Sequence, residues 1–262
     1  HARAVLSLFR GAETDRARKK AKGFGKRFGK QSTWRQLFQL EEAQYLLGTK
    51  AYDPALKIFR EVAAGGGPWA SEGAYFEATT VWEQHHAAPT EESGPKALYA
   101  QARFVEDYPA SPRTPQVHLR LGNYHFGLRS YLLAAAAYKR ILDGAAAAEL
   151  KGQAVWQLLE CYARVYEFDE AHRVALRLLR EFPGHAKRQQ TQLRIGIILM
   201  EKGQYAQAIA QLQEVLEWAG GNDASEARFY IGESYRNMGE YRKAIEAYYR
   251  VSFHGSDGFS QW

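Results

Sequence analysis

PRTPQVHLRLGNYHFGLRSYLLAAAAYKRILD, residues 112–143, reads as two helices joined by a tight turn. Leu121 and Gly122 fall in the first helix, while Tyr131, Ala134, Tyr138 and Ile141 recur at helical spacing in the second. Small residues at Gly122 and Ala134 let two helices approach closely, and the aromatics fill the space beside them. Weaker copies lie on both sides. The anchor alanine returns as Ala55, Ala97, Ala134, Ala171, Ala208 and Ala244, at intervals of 42, 37, 37, 37 and 36 residues. Three residues before most anchors stands an aromatic: Tyr52, Tyr131, Phe168, Tyr205 and Tyr241. Twelve residues before four of them come Gly122, Leu159, Gly196 and Gly232. Four residues after come Phe59, Tyr138, Ala175, Leu212 and Tyr248. A fixed period of this size with one helical hairpin per period is the signature of an α-solenoid, whose core lies between neighbouring hairpins.

The stretches RIGIILMEKGQYAQAIAQLQEVL (194–216) and YIGESYRNMGEYRKAIEAYYRV (230–251) carry the resemblance that follows. Gly196, Gly203, Tyr205 and Ala208 in the first, and Gly232, Tyr235, Gly239, Tyr241, Ala244 and Tyr248 in the second, stand where the tetratricopeptide repeat family has its signature residues. Residues 37–251 resemble that family, which implies an all-α, right-handed solenoid of about six hairpins. There are departures. His118, Val155 and Arg228 replace the usual Trp near the start of the first helix, and the interval exceeds the family's roughly 34 residues. The longer interval and the junctions FVEDYPASPRTP (104–115) and REFPGHA (180–186) are similar to a bacterial subset. That subset includes the Tol-Pal periplasmic coordinator and the lipoprotein of the outer-membrane β-barrel assembly machinery.

In tetratricopeptide proteins the first helix of each hairpin lines a concave groove, so the resemblance implies a set of groove residues. They are Leu119, Asn123 and Phe126; Trp156, Glu160 and Ala163; Leu193, Ile197 and Met200; Phe229, Glu233 and Arg236. Cytosolic co-chaperone members clamp a C-terminal carboxylate with Lys, Asn and Arg; only Asn123 matches, so that clamp is not expected. An apolar stripe with a few charges suits an amphipathic helix or an extended apolar peptide, and the bland alternative is packing between hairpins.

Along the chain the reading predicts an arm at 1–31, the solenoid at 32–252 and a Gly/Ser-rich tail at 253–262. Helices are expected over 32–48 with Ser32 as N-cap, 52–62, 70–84 and 95–108, then hairpins at 114–142, 149–181, 186–217 and 224–252. HHAAPTEESG (85–94) accounts for the 42-residue interval and is expected as an inserted loop. In residues 1–10 Ala4, Leu6, Leu8 and Phe9 settle on no clean period, so the sequence leaves this segment's structure open. The tail is uncapped, so either the native chain continues or a partner covers that end.

The 262 residues carry a formal charge of +6. Residues 1–36 hold eleven Lys or Arg against Glu13 and Asp15, 11 − 2 = +9, which leaves 6 − 9 = −3 for the rest. Arg16, Arg18, Lys19, Lys20, Lys22, Lys26, Arg27 and Lys30 make the block. A like-charge block with glycines stays mobile or folds on a partner. Its functional reading is an electrostatic tether for an anionic membrane surface, nucleic acid or an acidic protein surface, with Phe24 and Phe28 adding apolar anchoring; the bland one is a solvated arm laid over neighbouring protein. The acidic balance of the solenoid argues against a broad nucleic-acid face. Gly25 to Ser32 imitates a phosphate-binding loop, but only three residues separate Gly25 and Gly29, and Gln31 stands where Ser or Thr is required.

Chemistry is otherwise sparse. The single Cys161 excludes an internal disulfide and reads as a buried inert thiol. His118 and His125 lie seven apart without carboxylates spaced to join them, and His85-His86 beside Glu91-Glu92 offers at most an adventitious metal site. No cofactor, small-molecule substrate or enzymatic activity is expected. No apolar run approaches the ~18 residues of a membrane span. A chain beginning at His1 is processed or a fragment, and a removed signal peptide is compatible with that. The function expected is a non-enzymatic protein–protein adaptor in a bacterial cell-envelope assembly, periplasmic or outer-membrane-associated, with a cytoplasmic setting as the alternative. A subunit packed permanently into a larger complex and a nucleic-acid-associated protein held by its basic arm are the rival readings.

Overall fold

A computed structural model describes residues 14–28 and 33–254. Residues 1–10, the expected N-cap Ser32, Lys30 of the basic block and the tail after His254 lie outside them. Among the described residues there are thirteen helices and no strand. They divide into two compact units, His1–Val117 and His118–Trp262.

In the first unit, α1 (Thr14–Phe28) precedes two hairpins, α2 (Thr33–Gly48) with α3 (Tyr52–Ala64) and α4 (Ala70–Ala87) with α5 (Ser93–Asp107). Its core gathers Leu40, Ala43, Ala55, Phe59 and Val62, with Phe76 stacked on Phe59 at 5.3 Å between centroids. Gly73 sits where a Cβ would meet the backbone nitrogen of Ala63 at 2.8 Å, so α4 crosses α3 at close range. The glycine break after α3 uses positive φ at Gly66 and Gly67, and Gln36 donates to the Gly66 carbonyl at 2.9 Å. The expected inserted loop is smaller than its sequence suggested. Here α4 continues through His85 and His86, and α5 starts at Ser93 with Pro95 in its first turn, where a missing N–H costs nothing. His85 Nδ1 lies 2.7 Å from Ser93 Oγ, tying the two helix ends together.

The segment leaving α5 is held by polar contacts within the same unit. The Arg113 guanidinium takes Glu72 through its Nε at 3.0 and 3.2 Å and also through Nη2, and it lies over the Tyr75 ring at 5.1 Å. Thr114 donates its hydroxyl to the Tyr108 carbonyl at 2.6 Å. This is what the Ser-Pro-Arg-Thr junction does: it turns the chain and pins the turn to α4.

α6 (Thr114–Gly127) begins just before the unit boundary. The second unit continues through α7 (Tyr131–Asp143), α8 (Ala148–Arg164), α9 (Phe168–Glu181), α10 (Arg188–Glu201), α11 (Tyr205–Trp218), α12 (Gly221–Asn237) and α13 (Tyr241–His254). The anchor alanines Ala134, Ala171 and Ala208 are fully buried and Ala244 nearly so. Opposite each hairpin's anchor turn, a small residue faces a large one. A Cβ on Gly122 or Gly232 would collide with the ring of Tyr138 or Tyr248, and one on Gly196 would come within 2.5 Å of Leu212. In the α8/α9 hairpin the sizes are exchanged: Leu159 stands at the glycine position and Ala175 at the aromatic one, both fully buried. Volume is conserved by pair and not by position.

Each hairpin turn in the second unit closes the same way. Arg129, Tyr166, Gly203 and Gly239 occupy the left-handed region with φ of 59, 61, 73 and 77°. The following amides, Ser130, Glu167, Gln204 and Glu240, donate back to the carbonyls of His125, Tyr162, Leu199 and Tyr235 at 2.9–3.0 Å. That six-to-one bond is the Schellman closure of a helix C-terminus. Lys50, with φ of 61°, does the same in the first unit.

Candidate protein-interaction face

The groove residues expected from the sequence fall on the first helices α6, α8, α10 and α12, but they do not all face outward. Leu193, Ile197 and Met200 are only 4, 8 and 8% exposed and belong to the core. They pack between hairpins and present little to a partner. Leu119 and Phe126 are partly buried against the same core, Phe126 edge-on to Tyr131 at 5.2 Å. Ala163 is likewise partly buried there. Asn123 accepts the Tyr138 hydroxyl at 2.8 Å, which satisfies a phenol whose ring is buried and whose pKa burial raises well above the ordinary tyrosine range.

The remaining residues do gather. Glu160 is 8% exposed and accepts from Arg194 Nε at 3.0 Å, and Arg194 Nη1 lies 3.7 Å from Glu226. Trp156, one turn earlier on α8, has the Lys187 amine 5.9 Å from its ring centroid. On α12, Phe229 is 44% exposed, edge-on to Tyr230 at 5.3 Å and tilted against Tyr248 at 5.9 Å. Glu233 accepts from the Tyr248 hydroxyl and from Arg236, two bonds that hold its carboxyl below the usual carboxylate range. Burial, then Glu226, raises the Tyr230 phenol. The face formed by α8, α10 and α12 is therefore a ladder of alternating charge with aromatic rings set into it.

Sequence reasoning missed Arg194, Glu226, Lys187 and Tyr230. The repeat aligns equivalent positions, and the ladder does not join equivalent positions. Glu160 to Arg194 is 194 − 160 = 34 residues and Arg194 to Glu226 is 226 − 194 = 32, each about one helical turn short of the 37- and 36-residue intervals. Opposite charges placed one turn short of the period were the available signal.

Outside this face, the first unit has a cleft of about 670 Å³ between α3, α4 and α5, with Leu56, Ala78, Val81 and Phe104 inside and Arg60, Lys96 and Arg103 at its rim. Arg60 pairs with Glu77 at 2.9 Å, and Arg103 with Asp107 at 3.3 Å. Among the described residues no three His, Cys, Asp or Glu side chains are grouped to hold a metal ion. No described helix is long and apolar enough to cross a membrane. Cys161 is fully buried, and burial pushes its thiol up to about 12, with Glu160 adding to the effect. Burial and Arg140 lower the imidazole of His118.

On the basic block, Arg16, Lys19, Lys20 and Lys22 are exposed on α1, while Arg18 lies 2.6 Å from Glu42 of α2. Lys26 and Arg27 lie on the same helix.

Comparison with known proteins agrees with this architecture. Residues 188–252 match the family model described as "Tetratricopeptide repeat". No curated protein gives a significant match. Among solved structures, the C-terminal part of a TPR repeat-containing protein from Cytophaga hutchinsonii aligns at 13% identity and a TM-score of 0.64, covering 99% of this chain and 97% of that one. The MamA protein aligns at 13% identity and 0.58, over 71% of this chain and 93% of its own. The apo form of RapI aligns at 11% identity and 0.57, over 99% and 77%. At such identities the likeness is one of fold. The chain is thus similar to the tetratricopeptide repeat family over 188–252 and has the all-α, hairpin-repeat solenoid fold of these structures.

Proposed function

We propose that the protein is a non-enzymatic interaction scaffold that receives a segment of a partner protein on the α8–α10–α12 face. The observation that carries this reading is the Glu160–Arg194–Glu226 ladder with Trp156 and Phe229 beside it. Aromatic rings supply contact area with little conformational entropy to lose, and a desolvated charge pair beside them fixes register. An amphipathic partner helix with charges of both signs fits this face better than a lone carboxylate terminus does. The setting we propose is a bacterial cell-envelope assembly, supported by the Pro-containing junctions at 104–115 and 180–186.

A second reading, a subunit built permanently into a larger complex, draws on α13. Tyr241, Ile245 and Tyr249 are 65, 67 and 61% exposed and recur every four residues, which makes one apolar stripe along the last described helix. Crosslinking in native cells at low and high salt separates the two. Crosslinks on Lys187 and its neighbours to one partner segment support the scaffold, and Trp156→Ala should remove them. Crosslinks confined to α13, insensitive to Trp156→Ala, refute it in favour of the structural subunit.

A further inference from the structure

We infer that α1 is a cationic plate by which the first unit seats on an anionic lipid bilayer, an inference that stands apart from the scaffold reading. Its fifteen residues hold seven Lys or Arg against Asp15, 7 − 1 = +6. The helix is not a free arm. Ala17 is fully buried and Ala21 partly so, one turn apart, and Arg18 reaches Glu42 of α2 at 2.6 Å. The alanine side is thus committed to α2, and Arg16, Lys19, Lys20 and Lys22 are exposed. Docking converts a run of charges into an oriented surface.

The rest of the unit is of opposite sign. Residues 33–117 hold seven Lys or Arg against eleven Asp or Glu, 7 − 11 = −4. Cationic potential is therefore concentrated on α1, and an anionic partner that wrapped around the unit would meet repulsion. A flat anionic surface against the outward side of α1 meets Arg16, Lys19, Lys20 and Lys22 with the exposed Asp15, 4 − 1 = +3. A duplex groove would enclose more of the helix's circumference, including the side already occupied by α2 and Glu42. Attachment through these charges is salt-sensitive, because it works within a Debye length of the headgroups.

The test is vesicle flotation of the full chain with phosphatidylcholine alone and with about one-third phosphatidylserine, at low and high salt. Binding to the anionic vesicles only, reversed by salt, is expected. Each basic residue near such a surface contributes about fivefold in partitioning, so Lys19→Gln/Lys20→Gln/Lys22→Gln should weaken binding about 100-fold with unchanged helicity. Equal binding to neutral vesicles, undiminished binding by the triple variant, or tighter binding to duplex or single-stranded nucleic acid at matched phosphate would each overturn the inference.

Discussion

Leu159 and Ala175 offer the sharpest test of how this fold holds together. Every other hairpin of the second unit pairs a glycine on its first helix with a large side chain on its second, and this one reverses the sizes. If volume is conserved by pair, the arrangement can be turned round. Leu159→Gly removes a fully buried leucine, which costs about 2–5 kcal/mol, and adds about 1 kcal/mol for glycine in a helix interior. Ala175→Leu alone forces extra methylenes into a filled site, at about 1–3 kcal/mol. The two losses sum to about 4–9 kcal/mol if they are independent. Together they recreate the Gly196/Leu212 pair, which leaves the glycine penalty and an imperfect fit of about 1–2 kcal/mol. Urea unfolding followed by far-UV circular dichroism on all four members of the cycle measures the coupling. We expect the double variant to be more stable than Leu159→Gly alone by at least about 1.5 kcal/mol. Losses that add to within about 0.5 kcal/mol would refute pairwise conservation of volume.

Further outcomes follow from the same geometry. Arg129→Gly relieves a left-handed residue and should stabilise by up to about 1 kcal/mol, while Gly239→Ala, at φ of 77°, should destabilise by about 1–2 kcal/mol, both read in urea midpoints. Arg113→Ala leaves the Glu72 carboxylate without its bidentate partner and uncovers Tyr75, so a loss of about 1–3 kcal/mol is expected in the same assay. Cys161 should resist alkylation in the native state and react stoichiometrically in denaturant. Its folded pKa is raised from 9.0 to about 12, so the unfolded thiol ionises first as pH rises. Stability on its account is complete below pH 9 and is lost between 9 and 12 with a slope of about 1.4 kcal/mol per pH unit, a slope that Cys161→Ala should remove.

The fold was legible because its determinants repeat. An anchor alanine in six copies, an aromatic three residues before five of them and a glycine twelve before three of them report the same local packing, and together they outvote any single departure. What was hard to read in the sequence was of two kinds. Helix phase on the exposed side was one: Leu193 and Arg194 are adjacent, yet one belongs to the core and the other to the charge ladder. A repeat-by-repeat alignment cannot separate them, because it compares equivalent positions while neighbouring first helices touch one turn out of step. The second was the basic block. Its composition is compatible with a mobile segment, since little apolar surface is available to offset the entropy of ordering it, and equally with an arm laid over neighbouring protein, and it does not choose between them. Two alanines suffice to dock it only because α2 supplies the other half of the contact, including Glu42. That information lies on another helix, 24 residues away from Arg18, and no local pattern contains it. The features that a repeat shares were thus readable one period at a time, whereas the candidate binding surfaces depend on how successive helices meet.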